Sequence, residues 1–427
     1  MIKYNMIVIG AGPAGMAAAL EAEKNGLNDI LIIERDQYIG GILPQCIHNG
    51  FGLEYFDEEL TGPEYAYQFI QKLENSKIEV FTETMVLDIT EEKIVTALNK
   101  EKGVLKLKGE TIVLAMGCRE RTRENIQIPG DRPSGILSAG TAQRYTNIEG
   151  YMPGKDVVIL GSGDIGLIMA RRMKLEGADV KAVLEIMPFS SGLIRNKVQC
   201  LDDFDIPLRL QHTITRIEGK ERLKRVRVEQ VDENFNIIDG TSEWIECDTL
   251  LLSVGLIPEN ELTKSMDLNL HPITGGAYVN ENRETEINGV YAAGNVLHVH
   301  DLVDWVSEEA EIAGKAAEDY VHNNLHKRDI NIKITADKNV TYVVPQKIEY
   351  KLDHKNFIKI YLRVSKPMED VNVNLTYRDQ NLISYKKKIV MPGEMVTANL
   401  PTALVKDEVD EIKISVTKKV GENGGKK

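Results

Sequence analysis

Two glycine runs and the acids that follow them carry the first chemical information. Gly10-Ala11-Gly12-Pro13-Ala14-Gly15 stands between an apolar segment, residues 4–9, and an alanine-rich one, residues 16–25, which Gly26 closes. A second apolar segment, residues 30–33, runs into Glu34, 24 residues after Gly10. The spacing predicts strand, tight turn, helix and strand. Gly10 permits the turn, Gly12 lets a pyrophosphate approach the backbone, and Gly15 lets helix and strand pack closely. Backbone N–H groups and the helix dipole then face the phosphates, and Glu34 accepts from ribose hydroxyls. The same order recurs at Gly161-Ser162-Gly163-Asp164-Ile165-Gly166, with a helix expected over 167–176 and a strand over 180–184. Glu185 again comes 24 residues after the first glycine. Two such units imply two bound dinucleotides. An acid at 185 favours NAD, because it repels the 2′-phosphate of NADP.

Other reactive side chains are sparser. Cys46 lies 12 residues after Glu34, two before His48. A low-pKa thiol there would support sulfenic-acid chemistry, and a buried free cysteine is the plainer alternative. Arg119, Arg121 and Arg123 alternate after Gly117, as phosphate or carboxylate binders or as a solvated basic strand. His298 and His300 share a side at strand spacing, which suits a satisfied polar contact better than a metal site.

The elements that must position these groups follow from composition. The chain has 427 residues, 42% hydrophobic and 27% charged, with a net charge of -13. That balance excludes nucleic acid as a main partner. No apolar run reaches the ~18 residues of a transmembrane helix. The first residues run directly into a strand, so no signal peptide is expected. Cys46, Cys118, Cys200 and Cys247 form no CxxC pair, which points to free thiols and a cytoplasmic location. Residues 328–427 hold 19 basic and 13 acidic residues, a net of +6, and so leave -19 for the remainder. Glycine also thins out there. A boundary near Lys327 follows. Beyond it apolar and polar residues alternate, for example in Ile358-Lys359-Ile360-Tyr361-Leu362-Arg363-Val364, with a turn at Met391-Pro392-Gly393-Glu394. An antiparallel sandwich of seven strands, immunoglobulin-like, is expected, docked on the body or on a partner, with a disordered tail over 418–427.

Several further motifs carry a resemblance. They are the two glycine runs, Leu114-Ala115-Met116-Gly117, Leu251-Leu252-Ser253-Val254-Gly255 and Val290-Tyr291-Ala292-Ala293-Gly294-Asn295. Over residues 1–327 the chain resembles the pyridine nucleotide-disulfide oxidoreductases. The resemblance implies an α/β fold with two Rossmann-like domains. An FAD domain, 1–125 and 258–327, would be interrupted by an NAD domain, 126–257, with the sandwich at 328–427. It implies FAD in the first fold and NAD(H) in the second, NADP being less expected. Around FAD it implies Gly10, Gly12, Pro13, Ala14, Gly15, Glu34, Arg35, Gly40, Gly41, Ile42, Val86, Ala115, Gly117, Gly294 and Asn295. A reduced flavin carries negative charge that a helix N-terminus stabilises, and a helix starting around Val303-Asp304-Trp305 is the candidate, with core packing as the alternative for the helix and for Trp305. Around the nicotinamide nucleotide it implies Gly161, Gly163, Asp164, Ile165, Glu185 and Gly255. Asn295 stands where the family usually has Asp. Ser138-Ala139-Gly140-Thr141 replaces the CxxC of thioredoxin reductases, which excludes their disulfide route.

Gly117-Cys118-Arg119-Glu120-Arg121-Thr122-Arg123, Ile128-Pro129-Gly130 and Ser138-Ala139-Gly140-Thr141-Ala142-Gln143 are similar to one subgroup. It comprises the FAD subunits of opine, sarcosine, proline and hydrogen-cyanide-forming dehydrogenases and flavoproteins accompanying glycerol-3-phosphate dehydrogenases. In that subgroup the chain often works beside a second flavoprotein dehydrogenase subunit that oxidises the substrate. The expected activity is hydride transfer between NADH and flavin. The alternatives are a Cys46 NADH oxidase or peroxidase and a non-redox nucleotide-binding subunit.

Overall fold

In a computed structural model, residues 1–352, 356–378, 380–406 and 408–419 are described. The chain divides into two compact units. One is built from Met1–Leu43, Asn49–Cys118 and Pro258–Lys427, the other from Pro44–His48 and Arg119–Ile257.

The first unit starts with the strand Ile2–Ile9 and the helix Pro13–Lys24. The helix is apolar on nearly every face, and Ala14, Met16, Ala17, Ala18, Ala19 and Ala22 are all buried. A helix of that pattern must be covered on all sides. Ile30–Ile33 lies parallel to Ile2–Ile9, pairing Met6 with Ile30 and Ile9 with Ile33. On the other edge Ile2–Ile9 pairs in parallel with Gly103–Leu114. The sheet order is Glu79–Phe81, Ile30–Ile33, Ile2–Ile9, Gly103–Leu114, Ile94–Asn99, Thr84–Ile89, and Val290–Ala292 also pairs with Gly103–Leu114. All four residues of Ile30–Ile33 are buried, as befits an inner parallel strand.

The helix Val303–Val321 lies across Pro13–Lys24. Small residues allow it: a Cβ on Gly314 would sit 2.1 Å from the Ala18 carbonyl oxygen. This helix runs without interruption from Val303 to Val321.

The second unit repeats the plan with five parallel strands in the order Ile136–Ser138, Thr249–Leu252, Asp156–Leu160, Asp179–Glu185, Leu208–Leu210. A three-stranded antiparallel sheet, His212–Gly219, Leu223–Gln230 and Glu243–Glu246, completes it.

The C-terminal part of the first unit is a sandwich. Its five-stranded sheet runs Lys347–Tyr350, Lys327–Ala336, Glu411–Lys418, Met368–Tyr377, Gln380–Val390. Its three-stranded sheet runs Val340–Val344, Phe357–Val364, Val396–Pro401. Two expectations need correction. The described strands number eight rather than seven. The sandwich is also not wholly antiparallel, because Lys327–Ala336 pairs in parallel with Glu411–Lys418. Sequence alternation gives the period of a strand and not the direction of its neighbour. Most of the expected disordered tail lies outside the described residues, but Lys418 ends a strand and Lys419 N donates to Asp370 O.

The sandwich docks on the nucleotide fold. Tyr342 and Val344 are buried with Ile7, Ile9, Leu114 and Val290 in one apolar cluster. Glu281 accepts from the amides of Glu349 and Tyr350 at 2.9 and 2.8 Å. No helix among the described residues is long and apolar enough to cross a membrane.

Gly314→Ala offers a test of the helix crossing. Alanine ordinarily improves a helix interior by about 1 kcal/mol over glycine. Here the added methyl has no room, and a net loss of about 1–3 kcal/mol is expected from overpacking. Thermal unfolding gives the sign, and a raised melting temperature would contradict the packing described.

Candidate functional site

The first glycine turn is shaped by backbone contacts. Gly10 holds φ +104°, and a Cβ there would lie 2.5 Å from Ala115 O; a Cβ on Gly15 would lie 1.8 Å from Gly10 O. Gly12 differs, for its nearest neighbour to a Cβ is Gly41 Cα at 3.8 Å. Gly12 is also the N-cap of Pro13–Lys24. No side chain caps that helix, and its first turn holds no acid. The helix therefore starts with uncapped N–H groups beside an open glycine backbone, which fits a phosphate-bearing ligand. Glu34 is buried. Its carboxylate accepts from Ala11 N at 2.8 Å and from Asp36 N at 2.9 Å. Gly40 N donates to Ala11 O at 2.8 Å, bringing the Gly40-Gly41 pair against the turn.

The second turn has the same wiring. Gly161 (φ +98°) approaches Ser253 O as Gly10 approaches Ala115. Glu185 accepts from Ser162 N at 3.0 Å and from Met187 N at 3.0 Å. The hydroxyls of Ser162 and Ser191 also donate to it, at 2.5 and 2.9 Å. Gly163 N-caps the helix Asp164–Leu175 without a side-chain cap. Asp164 turns aside and accepts from Leu193 N and Asn196 Nδ2. Ser253 adds a contact outside the motif, its hydroxyl accepting from Gly166 N at 3.1 Å. Ser162 and Ser253 lie inside motifs legible in the sequence, whereas Ser191 is isolated and gives no cue in one dimension.

Ala115 and Gly117, both expected beside the cofactor, follow Gly103–Leu114, and Gly117 holds φ +71°. Gly294 (φ +75°) and Asn295 follow the strand Val290–Ala292. The Asn295 side chain accepts from His300 N at 3.0 Å and donates to Cys118 Sγ at 3.5 Å. Val86 is buried in the core on Thr84–Ile89, while Arg35 and Ile42 are exposed. Asp304 accepts from Gly52 N and Tyr55 N, and Trp305 Nε1 donates to Glu54 at 2.6 Å. Those two side chains thus tie the helix start to the 52–55 loop.

In the second unit, Ile165 is half-buried in the helix and Gly255 accepts through its carbonyl from Arg121 N. Arg123 is buried and donates to Ile128 O and Gly130 O. It holds its own turn instead of serving a phosphate or a solvated strand. Gln45 donates to Gly140 O and Gln143, and Cys46 lies 3.8 Å from Gln143 Oε1. Burial pushes the Cys46 thiol up to about 12. Burial, with Arg171 and Arg195 nearby, pushes His48 down to about 4. A neutral imidazole does not activate a thiol by charge.

A buried polar cluster closes the Gly294 turn from below. Arg283, His298 and Glu309 have no side-chain exposure. Glu309 accepts from Arg283 Nε, His298 Nε2, His300 Nε2 and Gly294 N. Burial alone would raise this carboxyl, but the facing imidazoles and guanidinium hold it well below the usual range. The sequence singles out the histidines but not Arg283 and Glu309, which look like ordinary surface charges in one dimension.

Burial pushes His298 down to about 4, against the pull of Glu309. An unfolded histidine titrates near 6.5. The unfolded chain therefore takes up the proton first. Stability is full above about 6.5 and falls toward pH 4, by at most about 1.4 kcal/mol per pH unit for one group. Urea unfolding between pH 6.5 and 4.5 should show this fall, with a shallower slope in His298→Gln; an unchanged slope in that variant would contradict the assignment.

Comparison with known proteins follows the same outline. A family model described as pyridine nucleotide-disulphide oxidoreductase matches residues 4–317. The chain is 26% identical over 299 residues to the HcnB component of hydrogen cyanide synthase from Pseudomonas protegens, covering 65% of this chain and 62% of that protein. It is 23% identical over 301 residues to a component of alkyl hydroperoxide reductase from Staphylococcus aureus, covering 69% and 54%. It thus spans less than two thirds of these relatives. Among solved structures, thioredoxin reductase of T. acidophilum is similar at a TM-score of 0.62 and 20% identity, over 74% of this chain and 98% of that one. L-Proline dehydrogenase from P. horikoshii is similar at 0.52 and 21%, over 73% and 54%. These structural likenesses establish the fold. The family match stops before the sandwich.

Proposed function

The chain belongs to the pyridine nucleotide-disulphide oxidoreductase family, a family of FAD-dependent oxidoreductases, and we propose that it exchanges a hydride between NAD(H) and FAD. The observation that carries the proposal is the repeated wiring. In each unit a buried acid grips the amide between the first two glycines, Glu34 on Ala11 N and Glu185 on Ser162 N.

FAD would supply the two-electron exchange at its ring. The chain's own residues bind and orient. The glycine turn at Gly10–Gly15 and the uncapped N-terminus of Pro13–Lys24 would hold the pyrophosphate, with Glu34 at the ribose. Gly40-Gly41 and Gly294-Asn295 would line the flavin side by backbone approach. Gly161–Gly166 would hold the nicotinamide nucleotide with Glu185 at its ribose, whose hydroxyls would take the places of the Ser162 and Ser191 hydroxyls on the carboxylate. NAD is proposed over NADP because residues 186–191 hold no basic side chain to meet a 2′-phosphate.

We further propose the dehydrogenase-associated subgroup and a second flavoprotein dehydrogenase as partner. The support is the similarity to a protein named as a subunit of hydrogen cyanide synthase, together with the motifs from Gly117 to Gln143. Four cysteines that form no disulfide support a cytoplasmic location. The Cys46 oxidase or peroxidase is the second reading. The lone cysteine after the paired glycines favours it, and burial of the thiol weighs against it.

Anaerobic titration with NADH should bleach the yellow flavin band of the FAD-loaded protein. Cys46→Ser should bleach and turn over alike. A band that stays oxidised with NADH bound would favour the non-redox reading, and a dead Cys46→Ser variant the peroxidase. Glu185→Ala should raise KM for NADH about tenfold or more, the size of one charge-assisted hydrogen bond, with little change for NADPH. Steady-state kinetics with both nucleotides checks this, and equal losses would contradict the ribose role.

A further inference from the structure

The Glu309 cluster offers two imidazoles and a carboxylate whose ligand atoms lie within 4.8 Å of one another. That donor set resembles a metal site, and the hydrogen bonds argue otherwise. A carboxylate has about four acceptor positions. On Glu309, Oε1 receives Arg283 Nε at 2.9 Å and His298 Nε2 at 3.1 Å, and Oε2 receives His300 Nε2 at 2.9 Å and Gly294 N at 3.1 Å. All four are filled. A dication would also face a buried guanidinium that already balances the only carboxylate in the set.

The saturated carboxylate instead acts on the backbone. Gly294 N is one of its four donors, and Gly294 and Asn295 form the turn proposed to meet the flavin. The same segment is also gripped by the sandwich. Arg363 donates to Val299 O at 3.1 Å and to Asp301 Oδ1 at 2.5 Å. Met395 N donates to the other oxygen of Asp301 at 2.5 Å. The Tyr361 ring lies 5.4 Å from the His298 ring and 5.3 Å from that of His300. Arg283 also donates to Lys359 O at 3.4 Å. Gly294–Asp301 is thus held by its own long helix through Glu309 and by the C-terminal sandwich through Arg363 and Met395.

We infer that the C-terminal sandwich is a positioning element of the flavin site, acting through Arg363, Asp301 and the Glu309 cluster on the Gly294–Asn295 turn. This rests on the proposal that FAD occupies the first fold. A turn outside regular structure needs such a supporting shell to hold its geometry. Arg363 and Glu309 are positioning residues, and neither is assigned contact with the cofactor.

The test separates positioning from general stability. Apoprotein of the full chain is prepared as wild type, Arg363→Met, Arg363→Lys, Glu309→Gln and Val373→Ala. Val373 is a buried core residue of the five-stranded sheet, and its truncation weakens the sandwich without touching the Asp301 loop. FAD dissociation constants and apoprotein melting temperatures are measured for each. Arg363→Met and Glu309→Gln should bind FAD about tenfold more weakly or worse. Arg363→Lys should recover part of the loss, and Val373→Ala should bind as wild type despite its lower melting temperature. If Glu309→Gln does not fold, the Arg363 pair and Val373→Ala decide the matter. Unchanged FAD affinity in Arg363→Met, or an equal loss in Val373→Ala, would overturn the inference while the flavin reading stands. A wild-type chain that cannot be reconstituted with FAD would overturn both.

Discussion

Backbone packed against backbone is the constraint on which each nucleotide fold rests. Where the first strand passes into its helix, a Cβ on Gly15 would come within 1.8 Å of the Gly10 carbonyl oxygen. A side chain at either point would strike backbone, and the turn so formed brings the open Gly12 backbone to the uncapped amides of the helix start. The acid two elements later then fastens the turn to the neighbouring strand. Parallel pairing of Ile2–Ile9 with Ile30–Ile33 sets Glu34 beside Ala11, because Ile9 and Ile33 are register partners. The second unit reaches the same state with Leu160 opposite Leu184 and Glu185 beside Ser162.

The long helix Val303–Val321 shows how packing and polarity combine. One face meets Pro13–Lys24 so closely that Gly314 lies against the Ala18 backbone. Another carries Glu309 inward, where an isolated charge would cost several kcal/mol. Arg283, two histidines and a backbone amide offset that cost. His298 Nδ1, His300 Nδ1, Arg283 Nη1 and the Tyr361 hydroxyl find no partner among the described residues.

Local pattern makes much of this legible. The glycine turns, the acids at their fixed distance and the small residues of Val290–Ala292 each depend on steric rules within a few residues. They lead to the α/β class and the family, and apolar–polar alternation leads to the strand-rich C-terminal region. His298 and His300 lie outside any strand, so it is the fold of the segment after Gly294 and not strand spacing that lets Glu309 accept from both. Arg123 is a different case, because its role depends on the carbonyls of Ile128 and Gly130 that a following turn folds back onto it. The parallel pairing of the first and last long sandwich strands is illegible for a similar reason: alternation records one strand's faces and is silent about strand direction.

What the sequence determined alone, then, is the set of turns and the chemistry they admit, since a missing Cβ and a repeated spacing act locally. The tertiary structure decided which distant charges meet. Arg283 and Glu309 are 26 residues apart and separated by the Gly294 turn; Arg363 and Asp301 are 62 apart and come from different layers. No periodicity encodes such pairs, because long-range electrostatic partners are chosen by the three-dimensional approach of helix, loop and sandwich.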